Sequence, residues 1–433
     1  MSILKFVTAS ALSSAMLSAQ VAGNPIAAAP STDPVIQWNR SLLAIVRTAG
    51  AQPATIHPTR SFAILHAAIY DAVNAIDRTH EPYAVRFSGV SRRASQAAAA
   101  DAAAHDVLTA LYPTFASALD ATLQQALALV PDGVGKTEGI HIGQTAAQAI
   151  LSLRSHDGAN QAPLPYTFGS APGDYQSTPP NFPKQPQFTH WRNVTPFALA
   201  EADQFRPGRP PALTSDRYGD DVNEVQALGV AGGTAATPDE ALTGRFWNGA
   251  IQNYWNEIAQ TASIDRHLTI AQEARLFALL NLSFADSVIA FYDAKYTYNR
   301  WRPVTAIREA GTVDNPDSTP DANWLPEVGN TTPDPAYPGA HAVISAAGAA
   351  VLVAVLQRDH LDFTVTSEVL PGVTRSFASL AAAADEATQS RIFAGVHFRS
   401  DLTSGHRLGR DIADFVLDHF LTRRHGSEDE DAR

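Results

Sequence analysis

Three separate segments of this chain together supply three cations that could share one ligand, Lys295, Arg302 and Arg391, and two histidines, His341 and His397. The segments are residues 295–302, residues 338–341 and residues 390–401. Lysine and arginine side chains bind oxyanions through charge-assisted hydrogen bonds, and histidine transfers protons near neutral pH. If the fold brings the segments together, these residue types predict a binding site for a tetrahedral oxyanion such as phosphate.

The spacing of residues within the first and third segments predicts local structure. Lys295 and Arg302 are seven positions apart, which returns both to one face of an α-helix, and Pro303 is expected to end that helix. His397 and Asp401 are four positions apart, so on a helix the carboxylate would reach the imidazole and fix its tautomer. Both pairs are therefore expected to be parts of helices.

The three segments resemble the signature of the superfamily that unites vanadium-dependent haloperoxidases with type 2 phosphatidic-acid phosphatases and bacterial acid phosphatases. That signature has Lys, six residues and Arg-Pro, then Pro-Ser-Gly-His, then Ser-Arg, five residues, His, three residues and Asp. The sequence around Lys295 is more similar to the soluble bacterial haloperoxidase-like branch than to the membrane phosphatases. The fixed positions of the first and third parts all match: Lys295, Arg302, Pro303, Ser390, Arg391, His397 and Asp401.

The middle part of the signature departs from the family, because Gly339 and Ala340 replace its Ser-Gly. A hydroxyl donor is therefore missing, which would weaken anion binding by about 1 kcal/mol. Main-chain N–H groups of residues 339–341 would still face the anion if a helix begins there. The mostly apolar run from His341 to Leu356 predicts such a helix.

The resemblance implies an oxyanion cage with a defined set of ligands. Lys295, Arg302 and Arg391 would bind the equatorial oxygens of vanadate, or of phosphate if the chain is a phosphatase. Gly339 and Ala340 would add main-chain donors. The cage is thus the prediction that the residues and the family pattern share.

The resemblance also implies catalytic roles for His341, His397 and Asp401. In a haloperoxidase, His397 would be the axial ligand of vanadium, and His341 would transfer protons while peroxide oxidises halide. In an acid phosphatase, His397 would attack a phosphomonoester to form a phosphohistidine, and His341 would protonate the leaving alcohol. We favour the haloperoxidase, with the phosphatase second and an inactive oxyanion-binding helical protein third.

Composition excludes several other classes of site. The 433 residues are 45% hydrophobic with a net charge of −12, which argues against nucleic acid or an anionic membrane as a partner. No cysteine is present, so thiolate nucleophiles, disulfides and cysteine-ligated metals are ruled out. After the first residues no uninterrupted apolar run reaches the length that spans a bilayer, about 20 residues. We therefore expect a soluble mature protein.

Helical periodicity on both sides of a proline-rich stretch predicts an all-α protein, a two-part helical bundle of the vanadium haloperoxidase and acid phosphatase type. Helices are expected over 268–307, 341–356 and 377–421. A short basic start, an apolar run and small residues indicate a signal peptide and hence a secreted or periplasmic protein. The predicted parts are 1–29 (signal peptide), 34–160 (helical domain), 161–215 (proline-rich connection), 216–425 (helical bundle with the site) and 426–433 (acidic tail).

Overall fold

Helices dominate the structure, as predicted for an all-α protein. A computed structural model describes residues 33–424, so the expected signal peptide and acidic tail lie outside the described residues. Within that range, the strands are β1 (His360–Thr366) and β2 (Thr374–Ser379), which pair as one antiparallel hairpin. The described residues therefore form a helical assembly to which one short hairpin is added.

The α-helices fall into two groups, one on each side of the proline-rich segment. The first group is α1 (Pro34–Arg47), α2 (Pro58–Asp77), α3 (Gln96–Leu111), α4 (Ala116–Ala128) and α5 (Val134–Leu153). The second group is α6 (Asp216–Leu228), α7 (Pro238–Phe246), α8 (Ile251–Asp265), α9 (Ile270–Tyr298), α10 (Pro303–Arg308), α11 (Ala340–Leu356), α12 (Leu380–Phe393) and α13 (Arg399–His419).

The central element is α9, which packs against α2 of the first group and against α11 and α13 of the second. A capping box of Thr269 and Gln272 fixes its start, since each residue satisfies a main-chain N–H of the other. In the described part of the chain, α9 alone is long and apolar enough to cross a bilayer, but 94% of its most apolar window is buried inside the protein. Its apolar composition is thus that of a core helix.

A buried carboxylate in the middle of α9 ties the proline-rich segment to the core. Asp286 is fully buried and accepts hydrogen bonds from the main-chain N–H groups of Phe197, Ala198 and Leu199 at 2.6–2.7 Å. Three such donors stabilise a buried carboxylate and offset part of its desolvation. Although irregular, the proline-rich segment is therefore fixed against the helices that carry the predicted site.

The predicted helix over 268–307 is wrong at its end, because α9 stops at Tyr298. Asn299 adopts the left-handed conformation with φ of 48°, which breaks the helix. Arg302 is the extended N-cap of α10, and Pro303 occupies the first turn of that helix. Proline therefore starts a helix here, since its missing N–H costs nothing in a first turn. Lys295 and Arg302 lie on two separate helices.

The predicted helix over 377–421 is interrupted as well. Its first residues belong to β2, and α12 and α13 are separated by a loop at residues 394–398, where Gly395 has φ of 78°. The strands carried a sequence signal, since Leu361, Phe363 and Val365 alternate with polar residues and are buried in that alternation. The predicted helix over 341–356 corresponds to α11.

Two glycines let α13 approach α11 closely. A Cβ atom at Gly405 would lie 2.6 Å from the carbonyl oxygen of Gly339, and one at Gly409 would lie 2.1 Å from that of Val343. Their four-residue spacing places both glycines on one face of α13. This contact holds the start of α11 against the start of α13, where two predicted site segments lie.

We predict that Gly405→Ala lowers the free energy of unfolding by about 2 kcal/mol, because overpacking against a main-chain oxygen outweighs alanine's better helix propensity. Gly208→Ala is the matched control, since a Cβ there meets nothing within 4 Å. Urea denaturation of both variants measures the effect. A Gly405→Ala protein as stable as the wild type would contradict this packing.

Candidate oxyanion-binding site

The three predicted segments meet at one place in the fold. Lys295 is in the last turn of α9, Arg302 caps α10 and Arg391 is in the last turn of α12. His341 is in the first turn of α11, and His397 lies just before α13. Each of the three cations is at most 4% exposed. Buried like charges are stable only with compensating partners, so their surroundings decide what the site binds.

Lys295 and Arg302 share one carboxylate, Asp334, which the sequence analysis did not identify. The Asp334 Oδ1 atom accepts from Lys295 Nζ at 2.9 Å and from Arg302 Nη2 at 2.5 Å. Arg302 also donates from Nε to the main-chain oxygen of Asp334 and from Nη1 to that of Val396. Burial lowers the pKa of Lys295, while Asp334 opposes that shift.

Arg391 has a different environment from the other two cations. Its Nη2 donates to the side chain of Asn248 at 3.1 Å, but among residues 33–424 its buried Nε and Nη1 atoms have no hydrogen-bond partner. Burial, and then the positive charge of Arg302, lower the pKa of Arg391 to about 9. A buried guanidinium with unpaired N–H groups is stabilised by an anion, so Arg391 is expected to bind one strongly.

His397 is oriented by two contacts, one at each ring nitrogen. Asp401 Oδ2 lies 3.1 Å from Nδ1 and accepts the main-chain N–H of Phe398 at 3.0 Å. Burial raises the pKa of Asp401, which makes the carboxylate a strong acceptor. The ring therefore carries its proton on Nδ1, and Nε2 presents a lone pair toward Arg302 Nη1 at 3.2 Å.

The predicted contact between His397 and Asp401 is present, but no helical turn makes it. His397 precedes α13, whereas Asp401 lies in the first turn, so the carboxylate caps the helix start and orients the ring with the same oxygen. The spacing of four residues predicted the contact correctly, but the contact comes from a helix cap and not from a helical turn.

His341 has the opposite tautomer from His397. Its Nε2 lies 2.8 Å from the main-chain oxygen of Trp247, and because a carbonyl only accepts, the proton is on Nε2 and the lone pair is on Nδ1. Burial, followed by the charge of Arg391, lowers the pKa of His341 well below its usual value. His341 is partly exposed as a residue, whereas His397 is buried, so the site lies closer to solvent at His341.

The start of α11 supplies main-chain donors, as expected, though not from every predicted residue. The first hydrogen bond of the helix runs from Val343 N–H to Gly339 O, which leaves the amides of Ala340 and His341 ahead of it. The Gly339 N–H instead donates to Asp401 O at 3.0 Å. The expectation that the Gly339 amide faces an anion is therefore wrong, because that amide joins α11 to α13.

These residues fit a tetrahedral oxyanion by the chemistry of their donors. Arg391 has buried N–H groups without partners, α11 begins at the site, and His397 points an imidazole lone pair at the same cluster of cations. Burial and the charges of Arg302, Lys295 and Arg391 keep the pKa of His397 well below its usual value. A neutral nitrogen ligand beside three cations suits vanadate or phosphate.

The residues that sequence reasoning missed lie outside the signature. Asp334 lies seven positions before His341, in a turn-rich loop. An acidic residue so close to a site motif could have been predicted as a partner for the cations. Gln187, which donates to Asp334 Oδ2 at 3.0 Å, comes from the proline-rich segment and gave no signal. Asn248 and the carbonyl of Trp247 are likewise placed by tertiary structure alone.

Comparison with known proteins finds similarity to vanadium-dependent haloperoxidases. Residues 275–426 match the family model of the VCPO second helical-bundle domain. The curated vanadium chloroperoxidase of Curvularia inaequalis is 24% identical over 396 residues, which cover 73% of this chain and 64% of that enzyme. The match thus spans less than two thirds of that relative's length.

Solved structures share the fold over most of the chain. The first bacterial vanadium-dependent iodoperoxidase superposes with a TM-score of 0.75 at 24% identity, covering 92% of this chain and 99% of that protein. The apo-type bacterial vanadium-dependent chloroperoxidase has a TM-score of 0.65 at 18% identity, with 86% and 94% coverage. At these identities the likeness is one of fold.

We predict opposite tautomers for the two site histidines at pH 6. His397 should be neutral with its proton on Nδ1, and His341 neutral with its proton on Nε2, because both pKa values are lowered. His105 serves as the internal contrast, since Asp106 raises its pKa and it should be protonated. Long-range ¹H–¹⁵N spectra distinguish the forms. A doubly protonated His397 at pH 6 would contradict the assignment.

Restoring the missing hydroxyl is predicted to tighten anion binding. Gly339 has φ of −76°, so serine meets no backbone strain there, although its Cβ would lie 3.0 Å from Leu402 Cδ2 and that side chain must shift slightly. One added hydrogen bond to a charged group gives about 1.5 kcal/mol, or roughly tenfold in vanadate affinity. Isothermal titration of Gly339→Ser tests this, and unchanged affinity in a folded variant would mean that residue 339 does not face the anion.

Proposed function

We propose that this chain, a member of the superfamily of vanadium-dependent haloperoxidases and type 2 phosphatidic-acid phosphatases, is a vanadate-dependent haloperoxidase. The observation that carries the proposal is the lone pair of His397 Nε2, which points into a buried cluster of three cations. The relatives are named as chloroperoxidases and an iodoperoxidase, which supports peroxide and halide as substrates.

The cage residues would bind and orient vanadate. Arg391 would supply the unpaired N–H donors, and the amide of Ala340 would add a main-chain donor at the start of α11. His397 Nε2 would hold the vanadium, since Asp401 keeps the proton on the other nitrogen. Bound vanadate would supply the chemistry that activates hydrogen peroxide for the oxidation of halide to hypohalous acid.

His341 would handle the protons of the reaction. Its Nε2–H is committed to Trp247 O, so Nδ1 is the atom that accepts a proton. A lowered pKa keeps the ring neutral at ordinary pH, as a proton acceptor requires. Its partial exposure lets small reactants approach from solvent on that side.

The same residues would serve a phosphatase, with His397 as nucleophile and His341 as the acid that protonates the leaving alcohol. The lowered pKa of His341 weighs against that second role, because a neutral imidazole has no proton to give at Nδ1. We therefore rank the phosphatase second. The expected signal peptide, residues 1–29, leads us to propose that the enzyme acts outside the cytoplasm.

The proposal predicts that His397→Ala lowers vanadate-dependent halide oxidation at least about a hundredfold, because the imidazole that would hold the vanadium is removed. His406→Ala is the matched control: it changes a half-buried histidine on α13 itself and should keep wild-type activity. Peroxide-dependent oxidation of iodide and bromide is measured with and without orthovanadate, alongside hydrolysis of an aryl phosphate. If the wild-type protein hydrolyses the aryl phosphate but oxidises neither halide, the chain is a phosphatase and the haloperoxidase proposal is wrong.

A further inference from the structure

One oxygen of Asp334 stands between two of the three cations of the cage. Asp334 Oδ1 accepts from both Lys295 Nζ and Arg302 Nη2, and the residue is 3% exposed. An oxyanion bridging Lys295 and Arg302 would place one of its own oxygens against these same donors. The carboxylate therefore occupies the position of an anion oxygen.

The donors of Lys295 are all in use within the protein. An ammonium group has three N–H donors, and Lys295 Nζ donates to Asp334 Oδ1, to the main-chain oxygen of Pro335 and, at 3.4 Å, to that of Ala336. A bound oxyanion gains a hydrogen bond from Lys295 only if one of these acceptors gives way. A side-chain carboxylate moves more readily than two consecutive main-chain carbonyls.

Arg302 and Arg391 differ in how many of their N–H donors are already used within the protein. Arg302 donates to Asp334 twice, to Val396 O and to His397 Nε2. Arg391, by contrast, donates to Asn248 and keeps Nε and Nη1 without partners. The positive charge of the cage is thus compensated on the side of Lys295 and Arg302, and uncompensated at Arg391.

We propose that Asp334 is a built-in counter-ion that competes with the oxyanion for Lys295 and Arg302, and thereby sets the affinity of the site. It stabilises two buried cations in the folded protein and opposes a second negative charge close by. The inference rests on the proposed oxyanion binding, and it holds for either reaction at the site. Asp334 is then an affinity-determining residue, not a ligand.

Asp334→Asn tests the idea with little change of shape. The amide keeps an acceptor for Lys295 and Arg302 but removes the negative charge. Gln187, which donates to Oδ2, can turn its side-chain amide to accept from the new N–H and from the hydroxyl of Tyr292 instead. The substitution therefore changes charge in a site that can still satisfy its hydrogen bonds.

We expect Asp334→Asn to bind orthovanadate and inorganic phosphate at least tenfold more tightly than the wild type by isothermal titration. Its melting temperature without either anion should fall, and the rise on adding vanadate should be larger than in the wild type. Asp157→Asn is the matched control, since Asp157 is a buried carboxylate that pairs with Arg60 and Arg154. That variant should lose stability without any change in anion affinity.

A second variant separates charge from geometry. Asp334→Glu retains the carboxylate, so it should bind the anions no more tightly than the wild type. The inference is overturned if the glutamate variant gains as much affinity as the asparagine variant, or if folded Asp334→Asn binds vanadate equally or more weakly. If Asp334→Asn folds only when phosphate or vanadate is present, the counter-ion role is supported, and failure to fold even then contradicts it.

The two proposals fail in different ways. If neither the wild type nor Asp334→Asn binds vanadate or phosphate, the proposed function is wrong and the role of Asp334 falls with it. If the wild type binds vanadate and Asp334→Asn gains nothing, the proposed function stands and only the counter-ion role is lost.

Discussion

Burying three positive charges next to one another is the constraint on which the rest of this structure depends. Burial, and then the charge of Arg302, lower the pKa of Arg391, and burial together with both arginines lowers the pKa of His397, so each cation makes its neighbours harder to keep charged. Such a cluster persists in a folded protein only where acceptors surround it. Carboxylate and carbonyl oxygens around the site are those acceptors.

The acceptors are mostly main-chain oxygens of the segments that connect the helices, and this links the site to the fold. The carbonyls of residues 334, 335 and 396 hold Lys295 and Arg302, and that of Trp247 holds His341. Gly405 brings α13 close enough for Asp401 O to accept the amide of Gly339. Site geometry and helix packing are therefore set by the same contacts.

The three cations of the cage are not equally compensated by acceptors. Asp334 offsets the charges of Lys295 and Arg302, whereas Nε and Nη1 of Arg391 have no hydrogen-bond partner among residues 33–424. Arg391 is therefore the cation of the cage that would offer free donors to the proposed oxyanion. Under the proposed function, the opposite tautomers of the two histidines would present the lone pair of His397 as a ligand and that of His341 as a base.

The sequence was sufficient to predict the all-α fold and to select the residues that gather at the site, because signature spacing and helical periodicity are local properties. It misjudged how they are held. Lys295 and Arg302 were expected on one helix, yet Asn299 ends α9, and Pro303 can open a helix as readily as close one. Asp334, Gln187 and Asn248 were missed because their roles come from contacts between distant segments, which no local pattern records.

The central claim is that His397 and the three cations form one oxyanion site, and anomalous diffraction tests it most directly. Crystals soaked in orthovanadate would be measured at the vanadium absorption edge, where the metal alone gives a strong signal. The account predicts a single dominant anomalous peak next to His397 Nε2, on the side facing Arg391. A dominant peak elsewhere, or its absence from a cage whose side chains are well ordered, would contradict it.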